Sequence, residues 1–290
     1  MGQFKEMTLE QKSYVFGLLL TDGTLHLKNE KTYSGQVSLE LSEKDEDIVD
    51  KLCEVIPNST KTKRSRNTNF KQEYNSVKFS NSRQIFIKEL IEFGFPTESK
   101  TINARPPIVE YDKDAFWRGV IDGDGSVGIR KTSPHSTEAF VSLTTKSETL
   151  KNEFNAYIAA ITGKQYNFKR NKRDDVYNLT FAGFNACKIL NSIYKNSTIH
   201  LDRKYQKYLD CLAWKEENLT PKRNTSGVVG VGIDRTRNIW MSYITINKQN
   251  INLGYYVDKN DAIIARLKAE REYFGEFAKQ KHLFKQYELE

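Results

Sequence analysis

Cysteine is scarce: only Cys53, Cys187 and Cys211 occur in 290 residues, far apart in the chain. So few and so scattered, they exclude a disulfide framework, and no Cys-x-x-Cys or histidine pair at zinc spacing accompanies them. With six prolines and 16 glycines the chain is neither fibrous nor disordered in composition. Long apolar runs are missing too. The longest, Val15 to Leu20, falls far short of the roughly 18 residues a membrane span needs, and Met1 to Glu10 lacks the apolar core of a signal peptide. The expectation is a soluble protein with no membrane partner, in a reducing intracellular compartment: the cytoplasm, or the nucleoid if the gene is bacterial or phage-borne.

What is present is positive charge. Lysine and arginine number 45 against 37 acidic residues, a net charge of +8, and a polyanion is a natural partner for such a chain. Two basic runs stand out. Lys61, Lys63, Arg64, Arg66 and Lys71 form one; Lys164, Lys169, Arg170, Lys172 and Arg173 form the other about 100 residues later. A solvated hairpin explains either run alone, but both precede a strand-like segment.

That spacing belongs to a long internal repeat. Val37-Ser38-Leu39 recurs as Val141-Ser142-Leu143, and Tyr74 to Phe79 is echoed by Val176 to Phe181. Each half opens with an apolar segment ending in Asp-Gly: Phe16 to Gly23, then Trp117 to Gly125, with Asp22 and Asp124 separated by 102 positions. Each half predicts the order helix, two strands, helix, two strands, helix. In the first, Thr8 and Gln11 predict a capping box, Gly23 a left-handed turn after the helix, and the helices Asp45 to Val55 and Ser82 to Phe93 follow, with strands either side of the basic run. The second half starts from Asp112 or Asp114 and repeats that order. Two such units imply a pseudo-twofold axis, suited to duplex DNA.

Gly17 and Gly119 fall mid-helix, where glycine costs about 1 kcal/mol against alanine unless close packing demands it. Two helices packed through them would bring Asp22 and Asp124 together on the axis. An acid is locally unfavourable at a helix C-terminus, and a bound cation relieves that. One carboxylate from each half suits Mg²⁺, which completes its octahedron with water and phosphate oxygens. Phosphodiester hydrolysis is the chemistry such a site supports.

Trp117 to Gly125 resembles the LAGLIDADG motif and Val15 to Gly23 a weaker copy, so residues 1 to about 215 resemble a two-motif LAGLIDADG homing endonuclease. The resemblance implies α+β architecture: two αββαββα units, residues 1–108 and 109–215, forming a saddle-shaped sheet. It also implies that Asp22 and Asp124 bind catalytic metal, Mg²⁺ or another divalent ion such as Mn²⁺, with the backbone carbonyls of Thr21 and Gly123 as further ligands. Asp122, which faces Leu20 in the alignment of the two motifs, is left as a structural residue. The same resemblance implies a catalytic lysine after the last helix of each half, and Lys100 and Lys204, 104 positions apart, occupy those segments. Glu40, between Leu39 and Leu41, is expected on the DNA side of its strand as an unpaired acid that orders a metal-bound water; Thr144 stands at its counterpart position.

Residues 216–225 are polar, contain Pro221 and Gly227 nearby, and predict a linker. Beyond it, Val228 to Ile233, Ile239 to Asn247 and Ile251 to Val257 predict three strands, followed by a helix to Tyr273. Ser226 to Val231, Trp240 with Ile244, Leu253 to Tyr256 and Ala262 to Ala278 resemble an AP2 DNA-binding domain, a small antiparallel sheet backed by one helix; the resemblance covers about residues 226 to 280 of an expected domain at 226–290. Trp240, Ser242 and Ile244 are expected to face that helix, leaving Met241, Tyr243, Thr245 and Asn247, with Arg235 and Arg237, towards DNA. The expected whole is a monomeric, metal-dependent endonuclease that cuts both strands of a long double-stranded DNA site. The alternatives are a DNA-binding regulator that has lost cleavage and an intron RNA maturase on the same fold. Isolation of His26, His135, His200 and His282 disfavours zinc or HNH nuclease chemistry.

Overall fold

A computed structural model describes residues 4–68, 71–134, 136–218, 224, 226–247 and 249–289. It divides into two compact units, Met1–Lys215 and Glu216–Glu290.

In the first unit, helix α1 (Leu9–Thr21) starts from a capping box: Thr8 Oγ1 accepts from the Gln11 N–H, and the Gln11 side chain accepts from the Thr8 N–H. Strands β1 (Gly23–Asn29) and β2 (Ser34–Ser42), helix α2 (Glu46–Val55), strands β3 (Thr60–Thr68) and β4 (Lys71–Asn81) and helix α3 (Gln84–Glu92) complete the first half. A short helix, α4 (Lys100–Asn103), leads to α5 (Lys113–Asp124), capped by Asp112. Strands β5 (Gly125–Ser133) and β6 (Ser136–Thr145), helix α6 (Glu148–Thr162), strand β7 (Tyr177–Ala182), helix α7 (Gly183–Tyr194) and helix α8 (Asp202–Asn218) follow.

Every pairing is antiparallel, in the orders β1-β2-β4-β3 and β5-β6-β7. Alternation sends Val37 and Leu39 into the core of the first half, and Val141 and Leu143 into that of the second. The repeated tripeptides therefore do the same work twice. One continuous hydrophobic cluster spans both halves, from Phe4 to Trp214.

Three expectations need correction. The second sheet has three strands among the described residues, because the segment before β7 is bound differently: the Tyr166 carbonyl accepts from Asn155, Tyr166 and Phe168 pack on Phe181, and only Arg170 bridges to Tyr177. Gly23 does not take a left-handed conformation; a Cβ there would stand 2.5 Å from the Leu19 carbonyl oxygen, so close approach demands the glycine. The linker expected at 216–225 begins as helix, since α8 runs to Asn218; residues 219–223 and 225 lie outside the described residues. Lys204, Tyr208, Cys211 and Trp214 form the buried stripe of that helix at spacings of four and three.

The second unit is a sheet of order β8-β9-β10, with β8 (Val231–Asp234), β9 (Ile239–Ile246) and β10 (Gln249–Tyr256), and helix α9 (Lys259–Phe274) capped by Asp258. Ser242 and Ile244 are buried on the helix side, and Trp240 packs on the unit's core. The following turns return Phe284 and Leu289 to that core.

Candidate active site

Two helices touching backbone to backbone build the site. A Cβ on Gly17 would lie 2.4 Å from the Phe116 carbonyl oxygen, and one on Gly119 would lie 2.2 Å from that of Tyr14. Neither position tolerates a larger residue without moving a helix, which accounts for glycine where helix propensity opposes it. The contact persists to the C-termini, where a Cβ on Gly123 would meet Thr21 Oγ1 at 1.9 Å and Asp22 Oδ2 at 3.3 Å. Asp22, the capping residue of α1, and Asp124, the last residue of α5, are thereby neighbours.

Both carboxyls are pushed above the ordinary range. For Asp22 the cause is burial, countered by Lys204 and Lys100. Asp124 reaches solvent, yet partial desolvation raises it, with the Asp22 charge adding and the same two lysines opposing. Two carboxylates crowded at two negative helix ends concentrate negative charge there, which Lys100 and Lys204 partly offset.

Each helix end is also wrapped by a lysine. Lys100, at the start of α4, donates to the carbonyls of Thr21 and Gly23. Lys204, in the first turn of α8, donates to those of Ile121, Asp122 and Gly125 at 2.6, 2.7 and 2.7 Å, and to that of Gly123 at 3.2 Å. Burial lowers both lysines, Lys204 to about 8. At neutral pH Lys204 is still a cation.

Asp122 is buried and accepts from Tyr14 (2.8 Å), Tyr194 (2.5 Å) and the Leu201 N–H (2.8 Å), which anchors the segment leading to Lys204. Nothing in the sequence exposed a second anchor: Arg203 donates to both oxygens of Asp45, at 2.8 and 3.0 Å. Arg118 was readable as unusual, an arginine inside an apolar motif. It is buried and bonds the carbonyls of Ile193 (2.7 Å) and Ile199 (2.8 Å) and Glu10 (2.5 Å). A cavity of about 390 Å³ lined by Glu10, Asp112, Asp114, Arg118 and Lys195 opens at the other end of these helices, away from the carboxylate pair.

The basic residues divide by strand parity. Lys61 and Lys63 lie opposite the buried Phe79 and Val77, on the helix side of the first sheet, and pair with Glu46, Asp50 and Glu43. Arg64 and Arg66 lie on the outer face and pair with Glu40. Glu40 is therefore not the unpaired acid expected. The side chain of Lys71 lies outside the described residues. In the second run Arg170 is held over the Tyr177 ring and bonds Asp175 and the Lys146 carbonyl, and Arg173 pairs with Asp174. Lys164, Lys169 and Lys172 are exposed. In the second unit, Arg235 is exposed, Arg237 lies over the Tyr255 ring, Tyr243 is half-buried, and Thr245 bonds Asn250. Asn247 falls past the end of β9 with φ of 50°, in the turn and not on the sheet face.

Residues 112–201 match the family model described as the LAGLIDADG-like domain, the stretch that starts at the cap of α5. No curated protein matches the sequence. Among solved structures, the chain is similar to the LAGLIDADG meganuclease I-AabMI bound to uncleaved DNA, with 12% identity over 73% of this chain and 91% of that one and a TM-score of 0.49. It is also similar to the homing endonuclease I-WcaI bound to its DNA recognition sequence, with 14% identity, 71% and 90% coverage and a TM-score of 0.47. I-SmaMI bound to uncleaved DNA target in the presence of calcium ions gives 12% identity, 75% and 95% coverage and a TM-score of 0.45.

Proposed function

We propose that the protein is a site-specific endonuclease that hydrolyses phosphodiester bonds in both strands of duplex DNA with divalent metal ions, acting as an intracellular monomer. The observation that carries this reading is the pair Asp22 and Asp124 at the ends of glycine-packed helices, each end held by its own lysine. The LAGLIDADG-like match over the second half supports it.

The donor set fits a hard cation. The candidate donors are all oxygen, and the two carboxyls carry raised pKa values that a cation would relieve; among the described residues no group of three or more His, Cys, Asp or Glu side chains could hold a metal ion, so backbone carbonyls, water and phosphate oxygens would have to complete its shell. Asp22 and Asp124 would hold Mg²⁺ or Mn²⁺, joined by the carbonyls of Thr21 and Gly123. Those carbonyls already accept from Lys100 and Lys204, but each oxygen has a second lone pair. A divalent ion held there would supply the Lewis acidity that lowers the pKa of an attacking water and stabilises a leaving oxygen. The lysines fix the helix ends and offset the charge of the carboxylates, and Asp122 with Arg203 fixes the segment that brings Lys204 there.

The outer face of the first sheet, with Arg64 and Arg66, would meet the duplex, and exposed Lys169 and Lys172 would contact phosphate in the second half. The second unit, as an AP2-type module, would add contacts through Met241, Tyr243 and Thr245 on its outer sheet face and through Arg235 and Arg237. Incubation of a randomised duplex library with Mg²⁺ tests the reading: recovered double-strand breaks at a common sequence support it. Sequence-specific binding with no cleavage would mark a regulator, and retention of structured intron RNA alone would mark a maturase.

A further inference from the structure

Glu40 lies where a phosphate-binding surface has no use for an acid. It occupies the outer face of β2 opposite Lys78 of the neighbouring β4, near Ser76 on that strand and Arg64 and Arg66 on β3 beyond it. Its Oε1 accepts from Ser76 Oγ at 2.8 Å and from Arg66, and its Oε2 lies 3.5 Å from Arg64 Nη1. Ser76 is 1% exposed, so its hydroxyl is a fixed post. The Ser76 hydroxyl first, and Arg66 after it, hold the Glu40 carboxyl below its usual range. The carboxylate is thus charged and tethered to the buried Ser76 hydroxyl.

We propose that Glu40 is a positioning residue for base reading: it orients Arg64 and Arg66 so that their remaining N–H groups are presented to guanine edges. This rests on the reading above that the outer face of the first sheet meets duplex DNA. An arginine has five N–H donors in a rigid plane. A carboxylate that engages part of that plane leaves the rest aimed and removes rotamer freedom before binding. Guanine presents O6 and N7 in the major groove as a matched pair of acceptors. An anchored acid also repels phosphate, so a backbone docked over this spot is disfavoured and the groove preferred. In the second half Thr144 at the repeat-related position bonds Asn178, and among the described residues the acid-held arginine of that outer face is a single one, Arg130, which donates to Glu138 at 2.8 and 2.9 Å.

The test uses the full chain and a duplex library randomised at its centre, selected by binding in EDTA. Wild-type protein should enrich a sequence containing guanines that Glu40→Gln no longer requires, with discrimination between the selected and a shuffled duplex falling about tenfold or more. Affinity for the shuffled duplex should hold or rise, since a negative charge is removed. Arg64→Lys with Arg66→Lys keeps the charge and loses the planar fork, and should reproduce the broadened preference. Exposed ion pairs contribute little to stability, so melting should hardly move. Unchanged base preference in these variants, or an equal loss of affinity for selected and shuffled duplexes, overturns the inference while leaving the endonuclease reading intact. If wild-type protein enriches no sequence, the site-specific reading fails and this inference with it.

Discussion

Arg203 grips Asp45 through two hydrogen bonds, of 2.8 and 3.0 Å, and so ties the residue next to Lys204 to the entry of α2 in the other half. Asp47 reinforces the join by accepting from the Asp202 N–H at 2.9 Å. Asp45 is nearly buried, so removing its charge leaves the guanidinium poorly matched. Asp45→Asn is expected to lower stability by about 1–3 kcal/mol in urea unfolding. It should also slow cleavage of any selected target, because the Lys204 segment loses its tether. A stability loss with undiminished cleavage would show that Lys204 is placed by Asp122 alone.

Gly17→Ala and Gly119→Ala isolate the helix contact. Alanine raises helix propensity by about 1 kcal/mol at such positions, so each variant would be stabilised if the helices were merely near one another. With backbone oxygens at 2.4 and 2.2 Å from the added Cβ, overpacking should win and destabilise by on the order of 1–3 kcal/mol. Thermal melting gives the sign directly. A raised melting temperature for either variant would contradict the close approach.

Features carried by local rules were legible in the sequence. Thr8 and Gln11 sit in a four-residue motif; Val37 and Leu39 obey the two-residue period of a strand; Gly17 and Gly119 are conspicuous where glycine is costly. The division of the basic run was legible too, since strand alternation sends Lys61 and Lys63 to the face opposite Arg64 and Arg66. Other features depend on chain segments meeting in space. Glu40 looked unpaired because its partners lie on two other strands, and Arg203 and Asp45 are 158 positions apart. The strand missing before β7 has the right alternation, with Tyr166 and Phe168 packed inwards, yet the Asn155 side chain takes the carbonyl a neighbouring strand would need.

The carboxylates should show opposite effects on stability and activity. A carboxyl whose folded pKa is raised destabilises the fold while ionised, a penalty relieved as pH falls through that pKa. Asp22 and Asp124 both have that direction. In EDTA at pH 7, Asp22→Asn and Asp124→Asn should therefore melt at or above the wild-type temperature, with metal-dependent cleavage reduced to background and DNA binding retained. Cutting at the wild-type rate by the double variant would remove these residues from the site.

Lys204 makes a pH-dependent prediction with a definite sign. Its folded pKa of about 8 lies below the ordinary lysine value of 10.5, so below pH 8 the folded state bears the full penalty of a buried ammonium. As pH rises from 8 towards 10.5 the folded chain releases its proton before the unfolded chain does, and stability increases relative to a variant without the group. Measured in EDTA, wild-type protein should gain about 2 kcal/mol on Lys204→Met between pH 7 and 9.5. A flat difference would mean that the carbonyls of Ile121, Asp122 and Gly125 hold the proton more firmly than burial expels it.

The boundary between the units sets the last expectation. The hydrophobic cluster of the first unit ends at Trp214, and the second unit has its own core of Val228, Val231, Ile263, Leu267 and Phe284, so neither core needs residues of the other. Helix α8 nevertheless continues to Asn218, and a cut at Lys215 would remove its last turn. A chain ending at Asn218 should fold, because it retains the whole first cluster and the Asp45 to Arg203 join. It keeps Asp22, Asp124, Lys100 and Lys204, so Mg²⁺-dependent cleavage should persist at high protein concentration. What should fall is affinity, since a tethered second binding module raises effective concentration and can contribute 10²-fold or more. The protected stretch of the selected duplex should also shorten on one side. If the truncated chain bound as tightly and covered the same length of DNA, the second unit would not be a module for this duplex.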